Sequence, residues 1–426
     1  MIRNLKSKLK AMSSGSHLLD RKDTGTATDY VEVSRKGEHG SSAADWKTRH
    51  SFNGQIIEST SGAFVLKRSI YEMTSSFGHI VFSGLADLDL SDSSWWTRTG
   101  NGFKPHDIVF FDAETTGLAG GTGTYAFLVG LGYITDAGLV IEQYLMRDFD
   151  EEYPMLQSLI STLRNFRLLV TFNGKAFDWP LLETRLVYSR LSSISWENAH
   201  LDLLHTSRRL WGKQLESCSL SCIEEKILSH IREDDIPGFQ IPGIYFDYLE
   251  TRNADTIEQI MQHNEWDIAA MAALLIHIKK LYEDPLGKAD EYELLAIAKE
   301  LERNCRIQDA AACYQRCIQI SSKYSIATEA KKRLAYLKKK HEGPEKAMDL
   351  WIDLAEEPDS LLIFPLIEMA KFFEHREKDY KRALACTERA IVLADRLSKN
   401  SLSMKEELLH RRRRLRRKLK AISGGI

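Results

Sequence analysis

Two carboxylates stand one residue apart at the end of an apolar stretch with the composition of a β-strand. This stretch, residues 108–111, ends at Asp112, and Glu114 follows just before a Thr-Thr-Gly turn. Residues two apart in a strand point to the same face, so the two carboxylates project together. They repel each other unless a cation lies between them, and oxygen ligands favour Mg²⁺ or Mn²⁺. The pattern predicts a divalent-metal site; the alternative is a solvated strand end whose acids cap a turn.

Two further acids stand out, and the second of them, Asp267, lies where a carboxylate needs a partner. Asp178 begins a predicted helix after an Asn173-Gly174 turn, and Asp267 lies inside a predicted amphipathic helix beside an apolar run. A carboxylate on or beside an apolar surface is costly unless it is paired or bound to metal. Each acid also has an ordinary interpretation, Asp178 as a helix cap and Asp267 as a solvated helix residue.

The segments that carry these acids predict an α/β domain with a mixed sheet. Strands are expected at residues 107–112, 125–134, 139–146 and 167–172, and helices at residues 153–165, after Asp178, and at residues 255–282. Further helical segments are expected within residues 201–227. Residues 232–248 contain two Pro-Gly pairs and predict a loop that can lie over a site.

Composition predicts four regions along the chain. They are a polar amino-terminal segment (residues 1–55), a small β addition (residues 56–104), the α/β domain (residues 105–284) and a helical domain (residues 285–421). The first region begins with a short basic stretch and then has too few large apolar residues to offset its ordering entropy, which predicts disorder.

The helical domain contains a degenerate internal repeat of roughly 36 residues. Small residues recur as Ala298, Ala335 and Ala370, and again as Ala310, Ala347 and Ala383, with Tyr314 and Trp351 following the first two of the second set. This pattern favours tetratricopeptide-like helix pairs, with an ordinary helical bundle as the alternative. The basic run at residues 411–420 is typical of a solvated helix end, although it can also contact phosphates.

The whole chain has the composition of an ordinary globular protein. It has 426 residues, of which 43% are hydrophobic and 28% charged, and a formal net charge of −2, so attraction to nucleic acid must come from local basic patches. Six cysteines without a Cys-x-x-Cys pair indicate reduced thiols. No apolar run approaches the roughly 18 residues that cross a bilayer, and the amino terminus lacks the core of a secretory signal, so no membrane association and a cytoplasmic location are expected.

The acids and their neighbours resemble the three motifs of the DEDD-type 3′–5′ exonuclease superfamily, which has an RNase H-like fold. Residues 112–117 match the Asp-x-Glu motif, residues 173–178 match the Asn-Gly-x-x-Phe-Asp motif, and residues 263–267 match the helical motif that ends in aspartate. The resemblance implies a mixed five-stranded sheet with flanking helices, followed by the all-α tetratricopeptide-like domain. This two-part organisation is similar to that of YprB-type bacterial proteins, which are predicted exonucleases of the superfamily.

The resemblance also implies how the site works. Two divalent ions, Mg²⁺ or Mn²⁺, are implied to be held by Asp112, Glu114, Asp178 and Asp267. His263 is the implied general base, although it stands four residues before Asp267 and the histidine branch of the superfamily has a spacing of five. The weaker substrate-binding candidates are Thr115, Thr116, Asn173, Lys175 and Phe177, and Trp179 is a second candidate for stacking on a base; local packing is the alternative.

The sequence therefore predicts a metal-dependent nuclease, specifically a 3′–5′ exonuclease that hydrolyses single-stranded DNA or RNA ends. The helical repeats are expected to recruit a protein partner. The alternative is an RNase H-like scaffold or nucleic-acid-binding protein that has little or no activity and acts through its repeats. A third possibility is an endonuclease, because clustered carboxylates serve both modes of cutting.

Overall fold

The computed structural model describes residues 53–100, 102–117, 123–196, 199–357, 361–396 and 402–423. The polar segment predicted for residues 1–55 lies outside these residues up to position 52. The chain divides into two compact units, Met1–Ser207 with Ser217–Lys279 and Arg208–Glu216 with Lys280–Ile426. The first contains a mixed sheet with flanking helices and the second is helical where it is described, which confirms the predicted fold class.

A seven-stranded sheet forms the centre of the first unit. Its order is β1-β2-β7-β6-β5-β8-β9, in which β5, β8 and β9 run parallel and all other neighbours are antiparallel. The strands are β1 (Gln55–Ser59), β2 (Gly62–Glu72), β5 (Ile108–Thr115), β6 (Ala126–Thr135), β7 (Gly138–Leu145), β8 (Leu168–Thr171) and β9 (His200–Asp202). A separate two-stranded sheet pairs β3 (Ser76–Phe77) with β4 (Ile80–Val81).

The expectation of five strands was wrong by two. β1 and β2 arise from the region expected to be a small β addition, and they continue the main sheet because β2 pairs with the free edge of β7. This pairing satisfies the backbone groups that β7 would otherwise expose. β9 lies in a segment that was expected to be helical, because a strand of three residues is too short to give a periodic signal.

The helices that flank the sheet or follow it complete the fold. They are α1 (Ser94–Thr97), α2 (Glu152–Leu163), α3 (Asp178–Tyr188), α4 (Leu203–Trp211), α5 (Leu220–Ile223), α6 (Ile241–Thr251) and α7 (Ala254–Glu283). The predicted loop at residues 232–248 is shorter than expected, because α6 already begins at Ile241. Among the described residues, no helix is both long enough and apolar enough to cross a membrane.

Strand β5 is the central strand that carries the first two acids. Residues 108–111 are fully buried, and the burial becomes intermediate from Asp112 to the end of the strand. The strand is therefore apolar along its buried first half and polar at its carboxyl-terminal end, where its burial is only intermediate. This position holds the acidic end of the strand on a rigid support.

Two glycines of β6 allow helix α7 to approach the sheet closely. A Cβ atom at Gly130 would lie 2.3 Å from Oδ1 of Asn264, and a Cβ atom at Gly132 would lie 2.4 Å from Cγ2 of Ile268. Both separations are too short for a real side chain, so α7 can pack here only against a bare backbone. Because Gly130 pairs with Asp112, this contact brings α7 beside the acidic end of β5.

The second unit consists of helices that pack against their neighbours in the chain. They are α8 (Pro285–Lys288), α9 (Glu291–Arg303), α10 (Ile307–Ile320), α11 (Tyr324–His341), α12 (Met348–Glu356), α13 (Phe364–Phe372), α14 (Tyr380–Arg396) and α15 (Leu402–Ser423). All eight repeat residues singled out in the sequence are buried, seven of them in these helices and Ala347 in the short 3₁₀ helix that precedes α12. All six cysteines are free, in agreement with reduced thiols.

Candidate metal centre

The acidic end of β5 places Asp112 and Glu114 on the same side of the strand. Asn264 of α7 donates a hydrogen bond from Nδ2 to Asp112 Oδ2 at 2.9 Å, and its own Oδ1 accepts one from Gln143 Nε2 at 2.9 Å. Burial raises the pKa of both carboxyls well above the usual range, and the neighbouring acids, among them Asp267, raise it further. The pair therefore carries an electrostatic penalty that a cation would relieve.

Asp178 is the first residue of α3 and follows a tight turn after β8. Asn173 has a left-handed backbone with φ of 67°, and the backbone N–H groups of Asn173 and Lys175 donate to the Asp202 carboxylate at 2.8 and 3.2 Å. A Cβ atom at Gly174 would lie 3.0 Å from Asp178 Oδ2, so glycine leaves room for that carboxylate. Burial, and then repulsion from Asp202 and Asp267, raises the pKa of Asp178 to about 7.

Helix α7 contributes Asp267 and, one turn earlier, His263. The imidazole Nε2 lies 3.7 Å from Asp267 Oδ2 and 4.0 Å from Glu114 Oε1. The other ring nitrogen, Nδ1, lies 2.7 Å from Asp235 Oδ1. The four-residue spacing thus brings Nε2 of His263 to Asp267 and Glu114, and the Asp235 carboxylate contacts the opposite side of the ring.

The four predicted acids lie on three separate elements and are coupled electrostatically. Repulsion from Asp267 and Asp178 raises the pKa of both Asp112 and Glu114, so the charge on each of these acids affects the others. One ligand atom from each of Glu114, His263 and Asp267 lies within 4.8 Å of the others, a spacing that can hold a metal ion. Carboxylate oxygens at this spacing fit a hard divalent cation.

Arg232 is a feature of the site that sequence reasoning missed. Its guanidinium pairs with Asp267, donates from Nε to Glu224 Oε2 at 2.8 Å, and lies 3.1 Å from Asp235 Oδ2. Burial would lower the pKa of the guanidinium, but Asp267 and Glu224 raise it, so the charge is retained. The only signal in the sequence was that this segment can lie over a site.

The weaker substrate candidates divide into two groups. Thr115, Asn173 and Phe177 line a cavity of about 410 Å³ together with Glu114 and Asp178, and the Phe177 side chain is 59% exposed. Lys175 is exposed but is not among the residues that line this cavity.

The other two candidate side chains face inward. The hydroxyl of Thr116 is buried and accepts a hydrogen bond from the Tyr125 N–H at 2.9 Å. Trp179 is buried against Phe111 and Trp196, so its ring belongs to the core and cannot stack on a base.

Comparison with known proteins gives the family. A family model described as the RNase_H superfamily matches residues 109–279. Uncharacterized protein YprB of Bacillus subtilis (strain 168) is 33% identical over 359 residues, which cover 82% of this chain and 84% of that protein. Among solved structures, the family B DNA polymerase from the hyperthermophilic archaeon Pyrobaculum calidifontis aligns over 55% of this chain at 15% identity and a TM-score of 0.34. This alignment spans 30% of the polymerase chain. The chain belongs to the YprB family and contains an RNase H-superfamily domain.

Proposed function

We propose that this protein is a divalent-metal-dependent nuclease that removes nucleotides from single-stranded DNA or RNA ends in the 3′–5′ direction. The observation that carries the proposal is the cluster of four carboxylates contributed by β5, α3 and α7. Half-buried acids such as Asp112, Glu114 and Asp178, whose pKa values are raised, are costly to maintain for structure alone, and carboxylates of this kind hold the metal in metal-assisted phosphodiester hydrolysis. The RNase H-superfamily domain that contains it supports the same assignment.

Asp112, Glu114, Asp178 and Asp267 would hold the metal, Mg²⁺ or Mn²⁺, and the proposal includes two ions. Bound metal would supply positive charge that stabilises the reacting phosphate and activates water. The aspartates and the glutamate are hard oxygen ligands on three rigid elements, which favours both of these ions over softer metals. The role of the protein is to keep the four carboxylates converged before metal binds.

His263 is assigned as the group that accepts a proton from the attacking water. The Asp235 carboxylate can only accept the hydrogen bond from Nδ1, so it favours the tautomer in which Nδ1 carries the proton. The unprotonated Nε2 then faces Glu114 and Asp267, where the water would be bound. Asp235 is therefore a positioning residue for the base.

The cavity beside the acids is assigned to the terminal nucleotide of the strand. Glu114 and Asp178 line one part of the cavity, and the exposed Phe177 ring offers a surface on which a base can stack. Asn173 and Thr115 add polar groups to the lining. A cavity of about 410 Å³ suits one nucleotide better than a duplex.

The helical region is assigned as a tetratricopeptide-like array that binds a partner protein. Support comes from the burial of all eight repeat residues and from the packing of consecutive helices. In arrays of this kind, each helix pair buries small residues against its neighbours and leaves an extended surface for a ligand.

The test is degradation of end-labelled single-stranded DNA and RNA with Mg²⁺ or Mn²⁺. Wild type is compared with Asp112→Asn and with Asp136→Asn, a matched control at an exposed position in the β6–β7 turn. We expect Asp112→Asn to lose at least about a hundredfold in rate and the control to keep wild-type activity. Equal activity in wild type and Asp112→Asn, or no activity with either metal, would refute the proposal, and the inactive scaffold would become the preferred function. Labels at the 3′ and the 5′ end separate the two polarities and internal cutting.

A further inference from the structure

Helix α15 divides the basic run at the end of the chain into two stripes. On one side, Arg411, Arg414 and Lys418 surround Glu374, whose carboxylate is fully buried. Arg411 Nη1 and Arg414 Nη2 each lie 2.7 Å from Glu374 Oε2, and Lys418 Nζ lies 2.9 Å from Oε1. Leu415 is buried on this same side of the helix. This inner stripe holds the helix in place.

Four of the remaining five cations form an outer stripe on another side of α15, and Arg412 belongs to neither stripe. It consists of Arg413, Arg416, Arg417 and Lys420, whose spacing of three, four and seven residues places them on one helix face. All four are exposed. In the part of the chain that the structure describes, Arg416 pairs with the exposed Glu388, and the other three have no ion-pair partner.

The outer stripe shares its helix with a cluster that carries net positive charge. The inner stripe places three cations around one carboxylate, so these four groups together carry a net positive charge. Seven residues of helix span about 10 Å, which is long enough to contact several phosphates of one strand. Arginine forms paired hydrogen bonds with phosphate oxygens, and three of the four residues are arginine.

We propose that the outer stripe binds the phosphate backbone of single-stranded nucleic acid. The choice of polyanion rests on the proposed function, because a chain with a candidate nuclease centre needs to retain the strand that it cuts. A lipid surface fits less well. Leu408 and Leu415 are buried against α13 and α14 or the segment that joins them, so these apolar residues of α15 are not available to enter a bilayer.

The experiment measures binding by the full chain, with Asp112→Asn introduced to prevent cleavage. A labelled thymidine oligonucleotide of about 20 nucleotides is titrated at several salt concentrations and followed by fluorescence anisotropy. The outer-stripe variant replaces all four cations with glutamine. The charge-matched control carries Lys288→Gln, Arg316→Gln, Lys346→Gln and Lys381→Gln, all at exposed positions elsewhere in the same unit.

We expect the outer-stripe variant to bind at least about tenfold more weakly at moderate salt, and the slope of log affinity against log salt to fall by about 3. The control should keep the affinity and slope of the parent. Equal behaviour of the variant and the parent, or an equal loss in the control, overturns the inference. Tighter binding to poly-glutamate or to phosphatidylserine vesicles than to the oligonucleotide also overturns it.

The outcomes separate this inference from the proposed function. A wild-type chain that binds strands through the outer stripe but degrades none of them would refute the nuclease and leave the binding surface. A chain that degrades strands while the outer-stripe variant binds as tightly as the parent would do the reverse.

Discussion

Replacing Asp178 with asparagine is expected to stabilise the metal-free protein while it removes the response to metal. The pKa of Asp178 is raised from 3.8 to about 7 by burial and by the neighbouring acids. A raised pKa means that the folded protein binds more protons than the unfolded chain, so stability falls as pH rises from about 4 to about 7. Asparagine has no charge and avoids this loss.

The size of the effect follows from the shift in pKa. One unit corresponds to about 1.4 kcal/mol, so the shift sets an upper limit of about 4 kcal/mol at pH 7. The acids share this penalty, and removing one also relieves the others, so we expect about 2 kcal/mol from the single change. That corresponds to a rise in Tm of about 4–8 °C for a unit of this size.

The assay is calorimetric unfolding in EDTA and in Mn²⁺ at pH 7, because the two units can unfold in separate transitions. Wild type should show a higher Tm in Mn²⁺ than in EDTA, and Asp178→Asn should begin higher in EDTA and gain little from Mn²⁺. Asp136→Asn serves as the control and should behave as wild type in both buffers. A lower Tm for Asp178→Asn in EDTA, or an undiminished gain from Mn²⁺, would show that the raised pKa does not reflect a metal-binding cluster.

Three further changes test other parts of the structure. Asp235→Asn should lower kcat by about tenfold to a hundredfold with little change in KM. In a His263→Ala background the same substitution should have no further effect on kcat, because Asp235 acts through His263. Additive losses in the double variant would contradict the pairing of Asp235 with His263. Glu374→Gln should remove the pH-dependent part of the stability of the helical unit in acid. Burial would raise the pKa of Glu374, but hydrogen bonds from Arg414 and Lys418 outweigh it and hold the pKa at about 2, so wild type has this stabilisation above about pH 4.5 and loses it as pH falls towards 2. In unfolding measured against pH, the stability of the variant should therefore fall less steeply in acid than that of wild type. Gly130→Ala should lower stability by about 1–3 kcal/mol in chemical denaturation and weaken Mn²⁺ binding, because a methyl group there displaces Asn264 and with it α7. Wild-type stability would refute this close packing.

The sequence predicted the elements that carry the acids better than the sheet around them. The apolar run of β5, the helix that starts at Asp178 and the long helix with Asp267 all have strong local patterns, and the structure has each within a few residues of the expected bounds. β9 has only three residues, and the pairing of β2 with β7 depends on which edge is free, a property of the assembled sheet. Local patterns contain no information on such long-range pairing.

The same limit explains what was missed in the site. Asp202, Arg232 and Asp235 lie in a short strand and a loop, where no periodicity marks an inward-facing residue. Asn264 stood inside a recognised motif, but its hydrogen bond to Asp112 depends on the missing side chain at Gly130. These residues become recognisable only when the distances between elements are known.

The distribution of the four acids along the chain has a consequence for folding kinetics. They come from positions between 112 and 267, so they meet only after the strands of the sheet and the long helix α7 have docked. We therefore expect their repulsion to be weaker in the folding transition state than in the native state. Such an interaction changes the unfolding rate and leaves the folding rate almost unchanged. We therefore expect the coupled acids to shorten the lifetime of the folded domain without slowing its formation, and a bound cation to lengthen that lifetime.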